Sequence, residues 1–173
     1  MAELTRFFWQ MALLRRRPQD LPDSLFLLQA LLLISLGLGL VLGLRVFASP
    51  LDVMGANLLE LMLSASLMFV GLKLRGKANR WRQSYSALLG IGIIASLITL
   101  AYRSLADLVG ASEFAGLLDL VVFFWLLTAM AHVLRHSFDI SLPLAIVVVI
   151  LYTMFVLGLV AQLFPPDMPA TQP

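Results

Sequence analysis

The sequence predicts an all-α polytopic membrane protein, a bundle of five transmembrane helices preceded by an amphipathic interfacial helix. Three observations carry that expectation. Hydrophobic residues make up 61% of the 173-residue chain and charged residues only 13%, a balance that a water-soluble domain does not carry. Five apolar runs are each long enough to cross a hydrocarbon core of about 30 Å at about 1.5 Å per residue. Between the second and third runs lies the basic stretch GLKLRGKANRWRQSY, residues 71–85, with five of the 12 Lys and Arg residues. Short Lys/Arg-rich loops resist translocation, so this bridge is expected to face the cytoplasm and to fix the sidedness of the rest.

Residues 1–17 form the first element. Leu4, Phe7, Phe8, Met11 and Leu14 recur at helical spacing, with Arg6, Gln10 and the arginines at 15–17 elsewhere. Such a helix, with Trp9 and Phe rings at headgroup level, lies along a membrane surface. The same face serves equally well to pack on the bundle. Arg6 interrupts the apolar stretch and Arg15, Arg16 and Arg17 close it, so no cleavable signal peptide is expected.

The five-span domain is expected over residues 18–164. Pro18 and Pro22 break the first helix, and Asp23 or Ser24 caps the next. Span one covers 25–47; its Gly39-xxx-Gly43 pair admits close approach of another helix, in this chain or in a second copy. A turn at Pro50 leads to span two, 53–72, which holds Asn57, Glu60, Ser64 and Ser66. Span three, 84–103, is rich in Ser, Ala and Gly and so belongs at the centre of the bundle. The linker 104–116 carries Asp107 and Glu113 but no Lys or Arg, as an outer loop should. Span four, 117–134, begins near Asp119 and is followed by Arg135 and His136. Span five, 143–164, opens at Pro143 after a turn in which Asp139 or Ser141 is the cap. The proline-rich tail, 165–173, is expected to be disordered.

With the amino terminus cytoplasmic and the carboxyl terminus outside, ten of the 12 basic residues fall on the cytoplasmic side, against Arg45 and Arg103 outside. A bacterial inner membrane is the expected location. This topology puts Arg45, Glu60, Arg103 and Asp119 at one depth in the outer third of the bundle. Two acids and two bases there are expected to form an ion-paired polar layer, because opposite charges in hydrocarbon are tolerable mainly when they neutralise one another. The alternative is a proton or cation site at Glu60 and Asp119.

Several activities have no residues to carry them. The absence of cysteine removes disulfides, thiolate metal sites and cysteine nucleophiles. No nucleophile elbow, P-loop or dinucleotide fingerprint occurs, and no aromatic-interleaved basic groove points to nucleic acid. His132 and His136 have the i, i+4 spacing of metal ligands, but Val133 stands where the HExxH glutamate would be, so neither metal nor cofactor is assigned. The basic residues Arg15, Arg16, Arg17, Lys73, Arg75, Lys77, Arg80 and Arg82 form the expected surface for anionic lipid or a protein partner.

Three stretches taken in order carry a family resemblance: LLRRRPQDLPDS, GLKLRGKANRWRQSYSALLGI and WLLTAMAHVLRHSFDISLPLAIVVVIL. The chain resembles the YIP-domain (Ypt/Rab-interacting) five-span membrane proteins, in a compact bacterial-type form. The resemblance implies the five-span fold and no catalytic residue. The expectation is a non-enzymatic membrane scaffold or accessory subunit with a lipid, protein or self-association partner. The competing expectation is a small transporter or channel with a Glu60/Asp119 polar site.

Overall fold

The computed structural model of the chain describes residues 2–47 and 49–165. Among them are six α-helices and no strand: α1 (Ala2–Ala12), α2 (Leu25–Gly43), α3 (Pro50–Leu74), α4 (Trp81–Val109), α5 (Ser112–Phe138) and α6 (Leu142–Leu163). The five helices α2 to α6 are long and apolar enough to cross a membrane. The segments 13–24, 75–80 and 139–141 gather at one end of the bundle, the basic end. The α2–α3 and α4–α5 connections and the finish of α6 lie at the other, the far end.

Local chemistry sets the helix limits. Ser24 caps α2, its hydroxyl accepting from the Leu27 N–H at 3.3 Å. Ser49 caps α3 by accepting from Leu51 N–H at 3.2 Å, and Pro50 is its first residue. A proline fits there because the N–H it lacks would have had no helical partner, so α3 starts three residues before the expected span two. α4 runs on to Val109 and stops where Gly110 turns left-handed, at φ +67°. The loop expected over 104–116 therefore contracts to Gly110 and Ala111. Apart from Pro165, the tail expected to be disordered lies outside the described residues.

α4 is the central helix. Of its apolar window 61% is buried, against 11–22% for the other four spans. Residues 84–91 are buried without a gap, which only a helix covered on every side can show. Around them Met68, Leu72, Ala129, Val133, Leu134 and Val149 close a dry core concentrated in the basic half of the bundle.

Glycines bring helices into contact. A Cβ at Gly90 would overlap the ring of Phe8, so the ring of Phe8 occupies a notch that glycine leaves in α4. With Met11 and Ala12 also buried and the Trp125 indole donating to the Ala12 carbonyl at 3.2 Å, α1 is packed on the flank of α4 and α5. Gly90 is ten residues into α4, so α1 does not lie across the basic end of the bundle. Of the two placements open to its apolar face, packing on the helices is the one found. Gly39 and Gly43 meet Asn57 and Val53 of α3, so the Gly-xxx-Gly pair is used within the chain.

Gly90→Ala should lower stability by about 1–3 kcal/mol, the usual cost of overpacking a fitted site. Adding Phe8→Leu should recover part of that loss, as read from melting curves of the detergent-solubilised protein.

Candidate functional site

The face that α3 turns to the bundle reads Val53, Ala56, Glu60, Ser64, Met68 and Leu72, a regular three-to-four-residue stripe. Val53, Ala56, Ser64, Met68 and Leu72 are buried, whereas Glu60 is accessible. A cavity of about 650 Å³ opens at that point, lined by residues of α2 to α6. Glu60 thus lies deep among the helices and yet can be reached through a space inside the bundle. Its carboxylate has no ion-pair or hydrogen-bond partner among the described residues.

Tyrosines and Ser64 form the floor beneath it. The Tyr85 hydroxyl donates to the Leu61 carbonyl at 2.8 Å and lies 3.2 Å from the Ser64 hydroxyl, which in turn bonds the same carbonyl at 3.0 Å. From α6, the Tyr152 hydroxyl donates to the backbone carbonyl of Glu60 at 3.4 Å. The phenols of Tyr85 and Tyr152 are electrostatic neighbours of the Glu60 carboxylate. Trp81 stacks on Tyr85 with ring centroids 5.5 Å apart and donates to the Ala65 carbonyl at 3.1 Å, closing the basic side. From this floor the cavity runs past Asn57, Ser96 and Thr99 to Val46, Phe47 and Val160 at the far end.

Two ion pairs stand near that end. Arg103 holds Asp119 through Nε at 3.0 Å and Nη2 at 2.5 Å, and the Tyr102 hydroxyl donates to the same carboxylate. Arg45 pairs with Asp107 at 2.7 Å and donates to the Ser104 hydroxyl at 3.3 Å. The expected four-residue layer is therefore corrected: Arg45 meets Asp107, and Glu60 is not part of it. Glu60 is the eleventh residue of α3, about 15 Å along the axis at about 1.5 Å per residue. That places it near the middle of a 25-residue helix, below the level of the pairs.

The basic bridge grips the bundle. The Arg75 guanidinium donates to the carbonyls of Phe138 at 2.8 Å and Asp139 at 3.2 Å, and Lys77 pairs with Asp139. Arg82 pairs with Asp23 at 2.8 Å, and Gln83 donates to the Leu21 carbonyl at 2.8 Å. Three of the expected surface cations are thus engaged within the chain. Arg16 donates to Gln10 at 3.1 Å and sits over the Phe7 ring. The side chains of Arg15 and Lys73 are exposed, with no hydrogen-bond or ion-pair partner among the described residues; Arg17 is exposed and Arg80 half-buried. His132 and His136 face each other with centroids 4.5 Å apart, and His132 Nε2 lies 3.1 Å from the Arg16 carbonyl. Among the described residues no three His, Asp or Glu side chains converge.

The residues to which sequence reading gave no site role are Tyr85, Tyr102, Tyr152 and Asp107. A signal existed for the tyrosines, since a phenol inside an apolar span must find a hydrogen-bond partner. No family model, curated protein or solved structure matches this chain, and the YIP-domain resemblance gains no support from them.

Hydrogen bonding from the Lys77 ammonium, and then its charge, hold the Asp139 carboxyl below the ordinary carboxylate range. A depressed carboxylate contributes stability above its unfolded pKa and loses it as pH falls through the folded value. The Asp139→Asn variant should melt below wild type at neutral pH, and the gap should close on acidification below the ordinary carboxylate range.

Proposed function

We propose that this protein is a small membrane transporter in which Glu60 binds a cation at the bottom of the far-half cavity. The observation that supports this reading is the unpaired carboxylate itself. A charged side chain at the centre of a span is costly, and such residues mark ion or substrate pathways unless they are paired. Here two other acids have their arginines, Asp107 with Arg45 and Asp119 with Arg103. Of these three acids Glu60, at mid-span, lacks one among the described residues, and it lies beside space instead of packed side chains. In this reading the basic end faces the cytoplasm, by the retention of Lys and Arg on that side, and the cavity opens outward. A bacterial inner membrane, with the amino terminus inside and the carboxyl terminus outside, completes the proposal. α1 then strengthens the closed cytoplasmic half.

A second reading is supported by the cations the bundle does not use. Arg15 and Lys73 are free to meet anionic lipid headgroups, each contributing about 1 kcal/mol near a charged leaflet. This retains the lipid-engaging part of the scaffold expectation and is compatible with transport.

Proteoliposomes loaded with a pH-sensitive dye test the transport reading. An imposed membrane potential should drive protein-dependent proton flux, and Glu60→Gln should remove it. Flux that is absent in wild type, or unchanged in the variant, would sink the proposal.

A further inference from the structure

We infer that the cavity takes a lipophilic organic monocation, with its charge against Glu60 and its apolar body against the helices of the far half. The inference rests on the transporter reading for the location of the site and adds the chemical class of the ligand. Charge selects the sign. Two carboxylates, Glu60 and Asp119, line the cavity, and no Lys, Arg or His is among its lining residues. Arg103 offsets Asp119 from outside that wall, whereas the Glu60 carboxyl has no counter-charge among the described residues.

Coordination chemistry separates an organic cation from a metal ion. Calcium takes six to eight oxygen ligands and magnesium needs a near-octahedral set. Around Glu60 there is one carboxylate, and the hydroxyls of Ser64, Tyr85 and Tyr152 are already bonded to the backbone carbonyls of Leu61 and Glu60. Among the described residues no cluster of acids or histidines supplies the rest. An organic cation asks for less, namely one counter-charge, apolar surface and aromatic faces. The cavity offers all three, with Leu126, Leu157, Phe123 and Tyr152 among its lining residues. Its volume of about 650 Å³ falls within the range of about 300–1,000 Å³ that holds a drug-sized molecule.

Tetraphenylphosphonium and tetraphenylborate have the same shape and opposite charge, so together they isolate the sign of the site. Calorimetric titration of the full-length, detergent-solubilised protein should show saturable binding of the phosphonium and none of the borate. Glu60→Gln, which removes only the charge, should weaken phosphonium binding roughly 30-fold or more, as loss of one partner of a desolvated charge pair does. Thr153→Phe, which fills the cavity and keeps Glu60, should also abolish binding. Equal binding of the borate, or undiminished binding to Glu60→Gln, would overturn the inference. Proton flux without phosphonium binding would remove this ligand class and leave the transporter reading. Glu60-dependent phosphonium binding without flux would remove transport and leave the cation site.

Discussion

The structure depends on the complete burial of one short stretch of helix. Residues 84–91 of α4 are enclosed on every side, which requires that their neighbours approach closely. Small side chains permit this: Ser84, Ser86 and Ala87 give little bulk, and Gly90 leaves the notch that holds Phe8. Without a hydrophobic drive between helices in lipid, such close packing and a few interhelical hydrogen bonds are what hold a bundle together. Tyr85 supplies those bonds here, stacked under Trp81 and tied to Leu61 and Ser64 of α3. The basic half is a dry plug, and the bridge at 75–80 secures it from outside through Phe138 and Asp139.

The far half is built differently. α2 and α3 touch through Gly39 and Gly43, and Gly55 of α3 meets the Phe164 ring at the finish of α6, while a cavity lined by residues of α2 to α6 lies between the helices. An acid at the centre of a span costs about 2.5–3.5 kcal/mol on insertion scales; nearer the far end, Asp107 and Asp119 pair with arginine. The third, Glu60, has accessible volume instead. A bundle closed at one end and hollow at the other, with an unpaired carboxyl where the two meet, has the physical makings of a one-sided binding site.

Much of the fold was legible because the bilayer imposes it: a span needs about 20 apolar residues, and five such runs stand out. The small-residue run of span three likewise pointed to the centre. Helix ends were less legible. Pro50 read as a turn although it begins α3, and residues 104–109 read as loop although the hydrogen-bond ladder of α4 continues through them to Gly110. Those few residues shifted the apparent depth of Glu60 and gave it partners it does not have. Pairing is a tertiary fact; Arg45 chooses Asp107, 62 positions away, and nothing in local spacing encodes that choice. The cavity was illegible for the same reason, since it arises where a regular stripe on α3 fails to be met.

The most direct measurement uses the absence of cysteine from this chain. Single cysteines at Asn57, Thr99 and Thr153 in the cavity wall, and at Ala87 and Ala131 in the plug, would be challenged with a membrane-impermeant thiol reagent from the side opposite the basic bridge. A bundle hollow at one end predicts rapid labelling of the first three and protection of the last two. Uniform protection would mean that the far half is closed, and labelling of Ala87 or Ala131 would mean that the plug is not dry. Either result would contradict the account.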